Sequence, residues 1–217
     1  MTTWLLLLFL SQLSAQEATE GRFVIARLKY SGGGDWYNDP SIIPNLLKFL
    51  RENTTVPAAK DEIRISLMDE ELFSVPFLFM TGHGRVAFSD QEVERLRKYL
   101  TSGGFLYADD DYGMDASFRR EMARVFPDKE MVELPFSHDI YHCHFKFPSG
   151  LPKIHEHDSK PPKGYAYFHE GRMVVFYSYE SNISDGWADA DVHGDPFEVR
   201  EQALQMGTNI VIYALTQ

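Results

Sequence analysis

Residues 76–113 read PFLFMTGHGRVAFSDQEVERLRKYLTSGGFLYADDDYG, and their order decides the fold. Pro76 to Met80 is a short apolar run, the mark of a strand buried on both faces. Thr81-Gly82-His83-Gly84 breaks it. Ser89 then opens a helix, and Glu92 three residues on completes a capping box. Val93, Leu96, Tyr99 and Leu100 share one helical face, while Arg95, Arg97 and Lys98 lie toward the negative end of the helix dipole. Gly103-Gly104 ends the helix where a left-handed residue is needed. Phe105 to Ala108 is the next strand, and Asp109, Asp110 and Asp111 follow at its carboxyl end. The unit is βαβ, whose right-handed crossover makes its strands parallel. Its two carboxyl-end loops carry the polar residues, which is where open α/β sheets bind ligands.

Outward from this unit the pattern stays α/β. Phe23 to Tyr30 reads as the first strand, followed by Gly32-Gly33-Gly34 and then Asp35-Trp36-Tyr37-Asn38. Asp39-Pro40 predicts a helix start with Asp39 as N-cap, and Ile42, Ile43, Leu46, Phe49 and Leu50 form its buried face. Ile63, Ile65 and Leu67 alternate with Arg64 and Ser66, the pattern of a strand toward a sheet edge. Asp115 is expected to cap a helix that Pro127 ends. Met131–Leu134 reads as a short strand and His138–Phe147 as an alternating extended segment. Tyr165–Phe168 and Met173–Tyr177 flank His169-Glu170-Gly171-Arg172 as a hairpin. Ser181–Asp195 reads as an acidic, solvated loop. A last helix is expected from Asp195-Pro196, with Glu198 as the capping-box acid, to Ala214. No internal repeat or linker divides the chain, so residues 22–215 form one domain.

Composition narrows the partners. The chain has 217 residues, 44% of them hydrophobic, enough for a sizeable core. The first fifteen, MTTWLLLLFLSQLSA, read as a signal peptide with a cleavage point after Ala15; an uncleaved anchor is the alternative. The expectation is an exported protein, periplasmic or secreted, without stable membrane insertion once the signal is removed. A net charge of −11 argues against nucleic acid and anionic membrane surfaces, and is compatible with divalent cations and neutral sugars. A single cysteine, Cys143, allows no internal disulfide.

Four stretches carry a family resemblance: RLKYSGGGDWYND, ELFSVPFLFMTGHG, SDQEVERLRKYLTSGGFLYADD and HDIYH. On these the chain resembles an uncharacterised family of bacterial domains in the class I glutamine amidotransferase-like superfamily, near the trehalose-utilisation (ThuA-like) proteins. The resemblance implies a flavodoxin-like three-layer sandwich with a mostly parallel central sheet, here with a C-terminal hairpin elaboration. It implies no activity. Amidotransferases of that superfamily place a nucleophilic cysteine on a glycine-flanked elbow. The matching elbow here holds Asp109, Asp110 and Asp111, and Cys143 lies elsewhere. No G-x-S-x-G is present either, so acyl-enzyme chemistry is not expected.

The candidate site residues follow from this layout. Gly33, Gly34, Asp35 and Trp36 follow the first strand, with the glycines allowing close backbone approach and Trp36 a stacking face. His83 lies between two glycines. Of Asp109, Asp110 and Asp111, adjacent residues point to opposite sides, so at most two converge easily, and converging carboxylates need a cation, a shared proton or an arginine. The structural alternative is that one caps the next helix and another is solvated. His142 and His144, ~6.6 Å apart on an extended chain, could share a metal, the alternative being aromatic packing. His138 is expected to reach the site. Asp189-x-Asp191-x-His193-Gly194 begins like a calcium loop and then departs from it, with Arg200 where a glutamate belongs. The leading expectation is a non-amidotransferase that binds a small polar ligand, with carbohydrate as the favoured class. Alternatives are a divalent-metal-dependent hydrolase or isomerase using His83, Asp109, Asp110 and His138, with Asp109, Asp110, His142 and His144 as candidate ligands, and a non-catalytic envelope interaction module.

Overall fold

A computed structural model describes residues 21–217 of the chain. The signal-peptide reading of residues 1–15 lies outside the described residues. Seven strands form one sheet in the order β2-β1-β3-β4-β7-β6-β5. They are β1 (Ile25–Lys29), β2 (Ile63–Ser66), β3 (Phe77–Met80), β4 (Phe105–Asp109), β5 (Val132–Glu133), β6 (Lys163–His169) and β7 (Arg172–Tyr179). Strands β2, β1, β3, β4 and β7 are mutually parallel, and β6 and β5 continue the sheet antiparallel. The parallel strands therefore run 2-1-3-4-5 in chain order, the flavodoxin-like arrangement. The chain leaves β1 outward to the edge strand β2 and returns to β3 on the other side, so the switch point lies between β1 and β3.

Alternation along the strands builds two cores. Ala26, Leu28, Leu78, Met80, Leu106 and Ala108 face the layer of α2 (Asp90–Thr101) and α3 (Asp115–Val125). Ile25, Phe77, Phe79, Phe105 and Tyr107 face the layer of α1 (Ile42–Asn53) and α5 (Phe197–Thr216). The expected βαβ unit is present, with Ser89 and Glu92 forming a complete capping box. Gly104 is required where the chain turns back under α2, because a Cβ there would lie 2.3 Å from the Tyr99 ring. None of the described helices is long and apolar enough to cross a membrane.

Four local expectations are corrected. The N-cap of α1 is Ser41; Asp39, two residues earlier, sits at φ 42°, outside the geometry of an N-cap. Asp115 is the first residue of α3; the helix start is held by Asp110, whose Oδ1 accepts the Met114 N–H at 3.0 Å. At α5 no side chain caps the start, and Pro196 precedes it. His138–Phe147 is not extended. Asp139–Tyr141 forms a 3-10 turn, and the Phe147 N–H closes back on the Tyr141 carbonyl at 2.9 Å. Asn209 of α5 fixes that compact loop by bonding the Phe145 N–H and carbonyl at 2.7 and 2.9 Å.

Ser181–Asp195 is corrected most. Residues 181–188 are buried, and the segment contains a 3-10 turn, Asp185–Trp187, and the short helix α4 (Ala190–His193). Trp187 is 1% exposed; it packs on Phe79 and Tyr107 and donates to the Ala203 carbonyl at 2.8 Å. An apolar anchor this large draws the acidic residues around it into the fold.

A buried cationic side chain lies inside the sheet. Arg27 of β1 has no exposed surface. Its Nε donates to Glu62 at 2.8 Å, and its Nη atoms donate to the carbonyls of Trp36, Asn38 and Asp39 at 3.3, 2.9 and 3.3 Å. Breaking a buried ion pair by removing one partner costs about 3–5 kcal/mol. Arg27→Met should therefore lower the urea unfolding free energy by about that amount, and Arg27→Met/Glu62→Gln should recover part of it. A loss within about 0.5 kcal/mol would remove Arg27 from this structural role.

Candidate functional site

The β1 loop is built onto the β3 loop. The Gly34 N–H donates to the Arg85 carbonyl at 3.0 Å, the Asp35 N–H to the His83 carbonyl at 3.2 Å and the Ala87 N–H to the Ser31 carbonyl at 2.7 Å. The glycine-rich turn thus spends its Gly34 N–H on the neighbouring loop, and Gly33 is exposed with open space around its Cα. Gly82, at φ 143°, lets the two loops meet: a Cβ there would lie 2.4 Å from the Tyr30 hydroxyl. Trp36 is half-buried against the core and edge-on to Tyr37, which is 62% exposed.

A network of carboxylates, imidazoles and carboxamides crosses the switch point. His83 Nδ1 lies 3.1 Å from Asp35 Oδ2 and 3.2 Å from Asp111 Oδ2, while its backbone N–H donates to Asp35 Oδ1. Asp111 accepts the Asn38 amide on Oδ2 at 2.6 Å and the Asn182 amide on Oδ1 at 2.9 Å. The Asn182 amide also donates to Asp185 Oδ2 at 3.0 Å. Asp185 Oδ2 meets His155 Nδ1 at 2.8 Å, and His155 Nε2 meets both oxygens of Asp195 at 3.1 Å. His193 Nε2 lies 3.3 Å from Asp39 Oδ2. The loops after β1, β3, β4 and β7 all contribute.

Crowding of buried acid sets the titration. Burial, then the neighbouring Asp185 charge, pushes Asp111 up to about 7, with His83 opposing. Burial pulls His83 down, but the carboxylates of Asp111 and Asp35 outweigh it and the net shift is upward. The hydrogen bond to Asp185 leads in raising His155 to about 9, and Asp195 adds to it against partial burial. Burial raises Asp185, but its bonds to His155 and Asn182 outweigh this and hold it low. Burial likewise raises Asp110, to about 6, and raises Asp109.

The three consecutive aspartates divide their work. Asp109 has no exposed surface; it accepts the Ser178 hydroxyl and, at 2.7 Å, the Ser184 N–H, stapling the β7 loop to β4. Asp110 holds the start of α3, as the structural alternative anticipated. Asp111 alone joins Asp35 and His83. Asp110 instead faces an open pocket of about 260 Å³, lined also by Tyr112, Asp115, His157, Lys160 and Tyr179. There the Tyr112 ring stacks on His157 with centroids 4.8 Å apart, and remains 51% exposed.

His138 does not reach this site. It packs on Phe168 and Tyr213, and Phe168 pairs with Met173 at the start of β7, the opposite edge of the sheet. Its ring accepts the Ile140 N–H at 3.2 Å and caps the 3-10 turn. The proposed pairing of His142 with His144 is lost with the extended segment. His142 Nε2 donates to the Phe136 carbonyl at 2.8 Å, and His144 is exposed, edge-on to Phe145. The Cys143 thiol donates to the Asn209 carbonyl at 3.3 Å, and burial raises it above its ordinary value. Sequence reading missed Arg27, Asn38, Asp39, His155 and Asn182 as site residues. Asp39 precedes a proline in the pattern of a helix cap, and His155 lies in the polar, proline-rich stretch PKIHEHDSKPPK.

Among the described residues, two sets of three side chains have ligand atoms within 4.8 Å of one another, Asp39 with Asp111 and Asp185, and His155 with Asp185 and His193. Fold and site together define an open, mostly parallel α/β domain whose carboxyl edge is lined with carboxylates and histidines. The chain belongs to the family described as domain of unknown function (DUF4159), whose profile matches residues 24–215. No curated protein gives a significant match.

His155 joins the β7 loop to the segment before α5, and its charge makes that tie pH-dependent. Its folded value near 9 exceeds the ordinary 6.5, so its stabilisation is complete below about 6.5 and disappears as pH rises through about 9. In metal-free buffer the unfolding free energy should fall by about 1–3 kcal/mol across that window, allowing for solvent screening. His155→Gln should flatten the fall; an unchanged pH profile in that variant would assign the titration elsewhere.

Proposed function

We propose that the domain binds a small, hydroxyl-rich ligand of the carbohydrate class at the carboxyl edge of its sheet. The observation that carries this reading is the pocket beside Tyr112. It offers the rings of Tyr112, His157 and Tyr179 beside the carboxyl groups of Asp110 and Asp115 and the Lys160 ammonium. Aromatic faces stack on the C–H face of a sugar, and carboxylates accept its hydroxyl protons. A volume of about 260 Å³ falls below the ~300–1,000 Å³ of drug-sized sites and suits a single ring. Export of the mature chain would place it among extracellular or envelope glycans. The 2-1-3-4-5 order of the parallel strands and the GHG loop support the finer kinship with the class I glutamine amidotransferase-like proteins.

A second reading, a hydrolase or isomerase, is favoured by His83. Its Nδ1–H is shared by Asp35 and Asp111, which leaves Nε2 as the proton acceptor on a side chain that is 55% exposed. Two carboxylates on one imidazole stabilise the imidazolium formed when Nε2 takes a proton from a ligand hydroxyl or water. The backbone of His83 pairs with that of Tyr112, so this group and the pocket share one rim.

Saturation-transfer NMR with neutral and amino mono- and disaccharides tests the binding. At least one sugar should bind the wild type, with affinity reduced about tenfold or more in Tyr112→Ala and in Asp110→Asn, equivalent to about 1.4 kcal/mol. Asparagine keeps the helix-start acceptor, so the second variant should fold. No binding across the panel, or binding unchanged in both variants, would overturn the assignment. His83→Gln separates the two readings: it should leave affinity intact and abolish any turnover of the bound sugar.

A further inference from the structure

We propose that Asp39, Asp111 and Asp185, with the carboxamide oxygens of Asn38 and Asn182, bind a hard divalent cation of the Ca²⁺, Mg²⁺ or Mn²⁺ class. These residues come from the loops after β1, β4 and β7, so one ion would tie three loops of the carboxyl edge together. None of the five lines the pocket beside Tyr112, and cation binding does not depend on a sugar being bound there.

Spacing is the first support. One carboxylate oxygen from each aspartate lies within 4.8 Å of the others. Around Ca²⁺, with bonds of about 2.4 Å, octahedral ligand oxygens stand ~3.4 Å apart when adjacent and ~4.8 Å when opposite. The three oxygens therefore fall within reach of one ion with little or no contraction.

The second support is independent of the acids. Among the described residues, three buried side-chain N or O atoms lack a hydrogen-bond partner, and two of them are Asn38 Oδ1 and Asn182 Oδ1. Asn182 is 1% exposed. Both amides rest against Asp111 through their nitrogens, at 2.6 and 2.9 Å, and Asn182 also touches Asp185. An unpartnered buried amide oxygen costs about 1–3 kcal/mol. With a cation among the carboxylates, half a turn of each amide presents oxygen to the ion in place of nitrogen to the carboxylate, and moves the nitrogen to the position the oxygen now holds. Three carboxylates and two amide oxygens, completed by water, make the all-oxygen set that hard cations select.

The rival occupant is proton charge. Each aspartate also touches an imidazole: Asp39 touches His193, Asp111 touches His83 and Asp185 touches His155. If three imidazolium ions balance the three carboxylates, no metal is needed. The His155–Asp185–His193 set would instead favour a nitrogen-seeking ion such as Zn²⁺.

Titration calorimetry of chelator-treated protein with CaCl₂, MgCl₂, MnCl₂ and ZnCl₂ separates these outcomes. At least one of the first three should bind with one equivalent and raise the melting temperature. Asp39→Asn, at a partly exposed position, and Asp111→Asn should each weaken it about tenfold or more, as losing a charged ligand does. Wild-type protein supplies a test that needs no variant. Mn²⁺ should broaden the imidazole signals of His83, His155 and His193 and spare those of His138 and His142 at the far side. No binding by Ca²⁺, Mg²⁺ or Mn²⁺ would overturn the inference, as would Zn²⁺ binding alone or broadening spread evenly over all histidines.

Discussion

The buried guanidinium of Arg27 sets the terms for the carboxyl edge. A charge in the middle of β1 survives only if it is paired and hydrogen-bonded, and here Glu62 and the carbonyls of residues 36, 38 and 39 accept four hydrogen bonds from it. Those carbonyls belong to the loop that carries Asp35, Asn38 and Asp39. The requirement to satisfy one cation therefore fixes the path of a segment without regular structure. Asp39 accepts a left-handed φ of 42° as part of that path. A methionine at position 27 would fill the same space and leave the loop without its scaffold.

Asp109 does the complementary work on the other side of the switch point. Its carboxylate is buried beneath the edge and binds a β7 hydroxyl and a backbone N–H of the following loop. That brings Asn182 and Asp185 over the end of β4, opposite Asp111. Trp187, two residues further on, drives the same segment inward by burying its ring against Phe79 and Tyr107. Hydrophobic burial thus holds in place an acid cluster that repels itself. The cluster is relieved from within by His83, His155 and His193, and by raised carboxyl groups such as Asp111. Acid concentrated this way does not stabilise a fold, which is why the site is the place to look for a ligand.

Because five of the seven strands are parallel, their carboxyl ends gather on one side of the sheet, a strand's length from their amino ends. Everything chemically distinctive lies on the carboxyl side. The histidines of the HDIYH stretch lie on structural duty elsewhere: one caps a turn at the amino side, the other donates to a backbone carbonyl. The three aspartates after β4 divide into a staple, a helix start and a buried carboxylate that joins Asn38, Asn182 and His83.

Local signals in the sequence determined the βαβ unit, its capping box, the edge strand, the hairpin and the placement of Asp35, His83 and Asp111 at one sheet edge. Each depends on side-chain periodicity or on a turn residue acting within a few positions. Only the tertiary structure decided that Asp109 faces inward, that Asp110 holds a helix and that residues 181–188 are buried. Only it brought Asn38, Asp39, His155, Asn182 and Asp185 together across as many as 147 residues of chain, from Asn38 to Asp185. Those partnerships depend on long-range packing around Arg27, Asp109 and Trp187. No spacing in the sequence encodes them, because the residues that meet are brought together by the order of strands in the sheet rather than by their neighbours in the chain.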